Sequence, residues 1–306
     1  MKVLVTGGAG FIGSHLVRQL MAEGIEVTAL DNLSTGLREN LPEGAAFVEM
    51  DVNNEAFESV VAVEGFDAIV HLAGQTMVDV SIRDPLLDAE QNIMGTVRVL
   101  EAARKNGVKR VIFASTAASY GDVLESDLPV RESKELSPLS FYGLSKVTVE
   151  NYLELYHSIY DLDYVVLRFA NVYGERQGDG GEGGVISIFA KRIAQNQGIT
   201  IFGDGEQTRD FVYAGDIATG ICAALRTEQA NTAYNLSTQT ETSLRELVNI
   251  LSNTAGQRII PKYGPERAGD IYKSMLSNAR AKRGLGWKPV VSLEEGLRRT
   301  YQHFKK

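Results

Sequence analysis

A tyrosine and a lysine four residues apart, Tyr142 and Lys146, are the residues of this 306-residue sequence best suited to chemistry. On a helix, residues four apart lie on one face, so the ammonium group can reach the surroundings of the phenol. A phenol has an ordinary pKa near ~10 and accepts a proton at neutral pH only if its anion is stabilised. The Lys146 charge, a helix N-terminus and a cationic ligand would all act in that direction. The pair therefore predicts a tyrosine that exchanges protons with a substrate, although an exposed helical pair has the same spacing.

The first 31 residues indicate which ligand lies beside this pair. A short apolar strand at 2–6 is followed by a glycine-rich turn at 7–13, helical spacing at 14–23 and a second strand at 25–30 that ends on Asp31. A turn without Cβ atoms lets the backbone approach a pyrophosphate at a helix N-terminus, and an acidic residue after the second strand accepts ribose hydroxyls. This order predicts a dinucleotide site. Asp31 would repel a 2′-phosphate, which favours NAD over NADP.

Strands and helices alternate through about the first 170 residues, and these elements must position the tyrosine and the lysine. Further strands are predicted at 45–50, 67–72, 109–114 and 164–169, and helices at 53–63, 84–106 and 140–160. Strictly alternating strands and helices are typical of a parallel sheet with right-handed crossovers. The fold class is therefore predicted to be α/β, with a Rossmann-type doubly wound parallel sheet.

The second half of the chain has shorter strands and more irregular spacing. A polar, glycine-rich loop at 174–184 precedes predicted helices at 185–195, 216–225, 243–254 and 293–304 and a short strand at 200–202. We expect an NAD-binding domain at 1–171 and a smaller C-terminal α/β lobe at 172–306. Elements near 204–226 could return to the first domain.

Composition excludes several classes of partner and site. The net charge of −8 argues against nucleic acid or an anionic membrane as a partner. Cys222 is the only cysteine, so no internal disulfide can form, and the four histidines show no metal-ligand spacing. The first strand follows Met1 directly and no apolar run approaches the length of a membrane span. We therefore expect a cytoplasmic protein without a metal site.

Several motifs extend the glycine turn and the Tyr/Lys pair into a family pattern. They are TGGAGFIGSH at 6–15, DNLSTG at 31–36, HLAG at 71–74, FASTAASYG at 113–121, YGLSK at 142–146, LRFANVYG at 167–174, FGDGEQTRDF at 202–211 and GLGW at 284–287. Together they cover essentially the whole chain. In this order they resemble the extended short-chain dehydrogenase/reductases, and within them the nucleotide-sugar 4-epimerases of the UDP-glucose/UDP-galactose type.

The resemblance implies an NAD-dependent isomerase that inverts C4 of a UDP-hexose by reversible hydride transfer through a 4-keto intermediate. Tyr142 would take the proton from the 4-hydroxyl, Lys146 would hold the nicotinamide ribose, and Thr116 would bond the reacting oxygen. UDP-glucose and UDP-galactose are the implied substrates. UDP-GlcNAc and UDP-GalNAc are also allowed, because Ser274 occupies a position that limits the hexose pocket and its side chain is small. Members of this family often form dimers, so a homodimer is expected.

The resemblance also implies two sets of binding residues. For NAD they are Gly7, Gly10, Phe11, Ile12, Gly13, Asp31, Asn32, Asp51, Val52, Leu72, Ala73, Asn92, Ser115, Tyr142 and Lys146. For the UDP-sugar they are Thr116, Tyr142, Asn171, Arg209, Asp270 and Ser274.

Three other functions compete with epimerisation of a neutral hexose. Nucleotide-sugar dehydratases and UDP-glucuronate decarboxylases carry an acidic residue just after the Ser/Thr, whereas here Ala117 and Ala118 follow Thr116 and cannot move protons. A UDP-glucuronate 4-epimerase stays open. A non-catalytic NAD-sensing protein is disfavoured, since a sensor has no need of Tyr142, Lys146 and Thr116.

Overall fold

The computed structural model describes residues 1–178, 184–266 and 271–305. Its described strands are, in chain order, β1 (Lys2–Thr6), β2 (Glu26–Asp31), β3 (Ala46–Glu49), β4 (Ala68–His71), β5 (Arg110–Thr116), β6 (Asp163–Phe169), β7 (Asn171–Tyr173), β8 (Thr200–Phe202), β9 (Thr208–Arg209), β10 (Phe211–Tyr213), β11 (Thr232–Leu236), β12 (Thr242–Ser243) and β13 (Lys262–Gly264). Its described α-helices are α1 (Phe11–Ala22), α2 (Phe57–Glu64), α3 (Val78–Arg83), α4 (Pro85–Asp88), α5 (Gly95–Lys105), α6 (Phe141–Tyr160), α7 (Val185–Ala194), α8 (Ala214–Arg226), α9 (Leu244–Ala255), α10 (Ala279–Gly284) and α11 (Leu293–Lys305).

Seven of these strands form one parallel sheet in the order β11-β6-β5-β4-β1-β2-β3. Its central strands are buried on both faces, as the fully buried Val3, Leu4 and Val5 of β1 illustrate. Continuous apolar strands of this kind are typical of a sheet that is covered by helices on each side. The predicted Rossmann-type α/β fold is confirmed. The strand order reverses between β1 and β4, and ligands of such sheets bind in the crevice at that point.

The helical region before β5 differs from its prediction. One regular helix was predicted at 84–106, but α4 and α5 are separated by a π-helical turn, Ala89–Met94. The Asp84 side chain caps α4 by accepting from the Leu87 amide at 3.0 Å. The Thr96 hydroxyl donates to the Asn92 carbonyl at 2.5 Å beside the π turn. The prediction of one regular helix was wrong. It rested on apolar spacing, which does not encode the side-chain hydrogen bonds at the cap and at the π turn.

The chain returns to the large sheet after residue 171. Helix α8 packs against α1, and β11 pairs in parallel with β6. Sequence reasoning did not predict β11 because its sequence, TAYNL, lacks the long apolar run of the earlier strands. The short helix α10 was also not predicted.

A second, smaller group of elements comprises α7, α9 and α11 with the short strands around them. They share an apolar cluster that includes Phe189, Leu247, Leu251 and Leu297. This group packs beside the carboxyl edge of the large sheet, because β7 directly follows β6 and pairs with β10. None of the described helices is both long enough and apolar enough to cross a membrane.

Candidate active site

The glycine turn between β1 and α1 is built so that only glycine fits at two of its positions. Gly7 has a φ of +68°, and a Cβ atom on Gly13 would lie 2.0 Å from the Gly7 carbonyl oxygen. Helix α1 begins at Phe11 with no side-chain cap and no acidic residue in its first turn. Its first amide groups and its positive dipole end therefore stay available to an anionic ligand. These features fit the pyrophosphate of NAD.

A cavity of about 490 Å³ opens at this turn, in the crevice between β1 and β4. That volume lies in the usual range for cofactor sites. All the predicted NAD-binding residues except Asn92 lie on its wall. They are Gly7, Gly10, Phe11, Ile12, Gly13, Asp31, Asn32, Asp51, Val52, Leu72, Ala73, Ser115, Tyr142 and Lys146.

Acidic side chains mark the end of the cavity beside β2 and β3. The Asp31 carboxylate accepts from the Ala9 amide at 3.0 Å and the Leu33 amide at 2.8 Å. Burial raises the pKa of Asp31, and these amide donors act in the opposite direction. Asn32 donates to Asp51 at 2.7 Å. Asp31 is thus held at the glycine turn, where its remaining lone pairs can accept hydroxyl groups.

Asn92 lies behind the cavity wall. It is buried in the π turn, and its amide nitrogen donates to the Gln75 carbonyl at 3.0 Å, to Asp88 at 3.0 Å and to the Ser145 hydroxyl at 3.3 Å. These bonds tie the loop after β4 to α6. The geometry therefore places Asn92 where it supports the wall.

The start of α6 places Tyr142 in the crevice. Ser140 caps the helix by accepting from the Gly143 amide at 3.1 Å, which fixes Tyr142 in the first turn. The Thr116 hydroxyl accepts from the Ala118 amide at 3.1 Å, and Thr116 lies with Tyr142 on the cavity wall. Burial raises the pKa of Tyr142 to about 12, and the Thr116 hydroxyl acts in the opposite direction. The protein groups alone therefore hold Tyr142 as a neutral phenol at neutral pH.

Lys146 lies one helical turn further along α6. Its ammonium nitrogen is 5.8 Å from the centre of the Tyr142 ring and 4.9 Å from that of Phe113. Burial lowers the pKa of Lys146 to about 8, while the charges of Asp88 and Glu150 oppose the shift. Lys146 is therefore a cation at neutral pH, but with little margin.

The two neighbouring hydroxyls at the end of β5 have different partners. The Thr116 hydroxyl accepts from the Ala118 amide, whereas the Ser115 hydroxyl donates to the Glu150 carboxylate at 2.5 Å. Ser115 is thus engaged by a carboxylate, and the Thr116 hydroxyl is the one that acts on the pKa of Tyr142.

A second cavity of about 270 Å³ adjoins the first. Thr116, Tyr142 and Asn171 lie on the walls of both. Arg209 and Ser274 line the second cavity only, and Arg209 donates to the Thr208 carbonyl at 2.8 Å. The last predicted substrate residue, Asp270, lies outside the described residues.

Gln177 is a wall residue that sequence reasoning missed. Its side chain is buried at the first cavity, and its amide nitrogen donates to the Val172 carbonyl at 3.3 Å. Its side-chain oxygen accepts no hydrogen bond from the described residues. The only signal available was its position three residues after the NVYG motif.

Across 1–178, 184–266 and 271–305 there is no cluster of three or more His, Cys, Asp or Glu side chains that could hold a metal ion.

Comparison with known proteins agrees with this geometry. The model of the NAD dependent epimerase/dehydratase family matches residues 3–237, and these contain the glycine turn, Thr116, Tyr142 and Lys146. The chain belongs to this family. The predicted resemblance is thereby confirmed.

Solved structures of similar proteins agree over nearly the whole chain. UDP-glucose 4-epimerase of Thermotoga maritima, with UDP-glucose, is 42% identical, with a TM-score of 0.96 and coverage of 100% of this chain and 99% of that one. The UDP-glucose 4-epimerase of Thermus thermophilus, in complex with NAD, is 41% identical, with a TM-score of 0.93 and the same coverage. The UDP-N-acetylglucosamine 4-epimerase of Methanobrevibacter ruminantium, in complex with UDP-N-acetylmuramic acid, is 35% identical, with a TM-score of 0.94 and coverage of 99% and 97%.

Proposed function

We propose that this protein interconverts the C4 epimers of a UDP-hexose and uses NAD as its cofactor. The observation that carries the proposal is the position of Tyr142 and Thr116 on the wall shared by the two cavities. A proton-exchanging group there can reach a sugar in the small cavity and a cofactor in the large one. Family membership and the ligands of the similar structures support the same reaction.

The large cavity would hold NAD. The amides at the start of α1 would bind its pyrophosphate, Asp31 would accept its adenosine ribose hydroxyls, and Lys146 would donate to the other ribose. Bound NAD supplies reversible hydride acceptance, and in its oxidised form a positive ring that favours a nearby phenolate.

The protein's own part in the reaction would be to move one proton and to hold one oxygen. In its phenolate form, Tyr142 would take the proton of the sugar 4-hydroxyl. It would return that proton when the 4-keto sugar is reduced on its other face. The Thr116 hydroxyl accepts from Ala118, so its own proton is free to be donated to the phenol oxygen or the sugar oxygen. This arrangement lets one pair of groups serve both directions of a redox-neutral cycle.

The small cavity would take the sugar nucleotide. Arg209 suits a diphosphate, because a guanidinium binds phosphate oxygens through two parallel hydrogen bonds. Asn171 and Asp270 would contribute polar contacts to the same ligand. The short Ser274 side chain leaves space for an acetamido group, so we propose that N-acetylated hexoses are accepted as well as glucose and galactose. Arg209, Asp270 and Ser274 would belong to the lobe at 172–306, and Asn171 would lie at its border with the NAD-binding domain.

The deciding experiment is to incubate the purified protein with UDP-glucose, UDP-galactose, UDP-GlcNAc, UDP-GalNAc and UDP-glucuronate separately and resolve the C4 stereoisomers by chromatography. The proposal expects each reactive sugar to give an equilibrium mixture of two epimers without net NADH formation. Reaction of UDP-glucuronate alone would identify the competing substrate class. Net loss of water or CO₂, or no product from any sugar, would contradict the proposal.

We also propose a homodimer that is formed through α6. Several apolar side chains of this helix are exposed, among them Leu155, Ile159 and Tyr160, and Leu86 of the neighbouring α4 is 70% exposed. Two copies of one apolar face can cover each other around a twofold axis. Light scattering should give twice the chain mass, and Leu155→Glu with Ile159→Glu should give a monomer. A monomeric wild type would contradict the dimer.

A cytoplasmic location is proposed as well. Cys222 is the only cysteine, and it is buried with its pKa raised to about 12, so it stays an unreactive thiol. Fractionation of expressing cells should place the protein with cytoplasmic markers, and recovery in a membrane or secreted fraction would contradict this location.

A further inference from the structure

Glu150 is a buried carboxylate that the proposed reaction leaves without a role. It follows Tyr142 and Lys146 on α6 at the same four-residue interval, so the three side chains share one helix face. Its side chain is only 7% exposed. A charge this deeply buried is costly unless it is paired.

Arg168 of β6 supplies the paired charge. Its guanidinium donates to Glu150 through Nε at 3.1 Å and through a terminal nitrogen at 2.5 Å. The other terminal nitrogen donates to the Tyr120 hydroxyl at 3.0 Å and to the Glu132 carbonyl at 3.3 Å. Tyr120 ends the 3₁₀ turn Ala117–Tyr120 that begins directly after Thr116. The ion pair therefore holds the turn that directly follows Thr116.

Ser115 connects the same carboxylate to the strand end. Its hydroxyl donates to Glu150 at 2.5 Å, which fixes the last residues of β5. Thr116 is the next residue of the strand and lies with Tyr142 on the wall that the two cavities share. One carboxylate thus holds the strand end that carries the Thr116 hydroxyl, although it does not touch that hydroxyl.

Three elements place titratable groups around Lys146. Asp88 of α4 and Glu150 of α6 are the acidic groups that stabilise its ammonium form. His71 of β4 contributes no charge, since burial lowers its pKa to about 3, and Tyr142 is a neutral phenol in the protein alone. The cation therefore depends on two carboxylates.

We propose that Glu150 is a positioning residue that places a negative charge on the helix face of Lys146 and, through Ser115 and Arg168, holds the end of β5 that carries Thr116. The inference rests on the proposed function, since it assigns a task to Glu150 within that reaction. Glu150 touches neither cavity, so its effect passes entirely through its neighbours.

The first test measures the ionisation of Lys146 directly. Purified protein is exposed to trace acetic anhydride across a pH series, and acetylation of the Lys146 peptide is measured by mass spectrometry. Lys146 reacts only as the neutral amine, so the midpoint reports its pKa. Glu150→Gln should move the midpoint to lower pH by about one unit, a tenfold change in the ionisation constant. The alkaline limb of kcat/KM should move with it.

Two further variants separate charge from packing. Glu150→Asp keeps the charge, so the acetylation midpoint of Lys146 in this variant should match that of the wild type even if kcat falls. Glu101→Gln is the matched control: Glu101 also holds α6, by accepting from the Tyr156 hydroxyl at 2.9 Å, but it is not among the acidic groups that act on Lys146. Its midpoint should not move.

Ser115→Ala tests the second task. It should lower kcat several-fold, because the end of β5 is no longer held by Glu150. The acetylation midpoint of Lys146 should stay in place, because the Glu150 charge is kept. If Glu150→Gln does not fold, Glu150→Gln with Arg168→Gln avoids an unpaired buried cation. This double variant should move the midpoint in the same direction by less, since a repulsive charge is removed too.

An unchanged midpoint in folded Glu150→Gln, or in the double variant, would overturn the charge role. A Ser115→Ala enzyme with wild-type kcat would overturn the positioning of Thr116. Acetylation needs no turnover, so the outcome for the charge role is separate from failure of the proposed function. A shifted midpoint in a protein that epimerises no sugar would reject the function and keep the role of Glu150 in charging Lys146.

Discussion

The two cavities of this molecule are built in different ways. The large cavity lies at the ends of neighbouring parallel strands and begins with the glycine turn after β1, where backbone without Cβ atoms forms the wall. The small cavity is formed by side chains from segments far apart in the chain, such as Thr116, Asn171, Arg209 and Ser274. The first should therefore tolerate few changes of shape. The second should change its ligand preference with single side chains.

Gly13→Ala is expected to have the largest effect and tests the backbone half of this comparison. The new Cβ atom would lie 2.0 Å from the Gly7 carbonyl oxygen, so the turn must open and the NAD site is lost. NAD released from denatured protein, measured by enzymatic cycling, should fall below a tenth of the wild-type amount. Gly198→Ala is the control, because a Cβ there meets nothing within 4 Å. Retention of NAD by Gly13→Ala would refute the backbone argument.

Tyr142→Phe should be next in size and tests the wall shared by the cavities. Loss of a proton-exchanging group is expected to lower epimerisation by about 10²–10⁴-fold. Bound NAD should be unchanged, since the ring is kept. Tyr152→Phe on the exposed face of the same helix is the control and should be silent. Near-wild-type turnover by Tyr142→Phe would remove the phenol from the reaction.

Thr116→Val should have a smaller effect of the same kind. The substitution keeps the shape and removes the hydroxyl proposed to donate to the phenol oxygen or the sugar oxygen. Loss of one hydrogen bond to a charged group corresponds to roughly 10- to 100-fold in kcat. Steady-state kinetics should show a lower kcat with a nearly unchanged KM. Thr148→Val, at a half-exposed position of α6, is the control. A variant with normal kcat would mean that Thr116 serves packing only.

Ser274→Tyr should have the smallest effect on overall activity and the greatest effect on selectivity. A large side chain in the small cavity should lower kcat/KM for UDP-GalNAc by at least about tenfold relative to UDP-galactose, since steric exclusion acts on the acetamido group. Ser274→Ala should leave the ratio unchanged. Equal losses on both sugars would place the wall of the acetamido pocket elsewhere.

Local signals predicted most of the fold and the glycine turn, the acidic end and the Tyr142/Lys146 part of the large cavity. The glycine spacing, Asp31 and the Tyr142/Lys146 interval are encoded within one or two adjacent elements, and the structure gathers these residues on one wall. The irregular parts of the fold were harder to predict from the sequence. The π turn depends on Thr96 bonding Asn92, and β11 depends on a sheet edge that β6 leaves open, so neither has a periodic signature.

The sequence by itself determined the order of strands and helices, the glycine turn and the helix face that carries Tyr142 and Lys146, because near neighbours in the chain set backbone conformation. Only the tertiary structure decided that Thr116 and Tyr142 share the wall between the two cavities while Ser115 binds Glu150. It also paired Glu150 with Arg168, a residue on a different element. Such contacts depend on which elements pack together, and that choice is made by burial of the whole core.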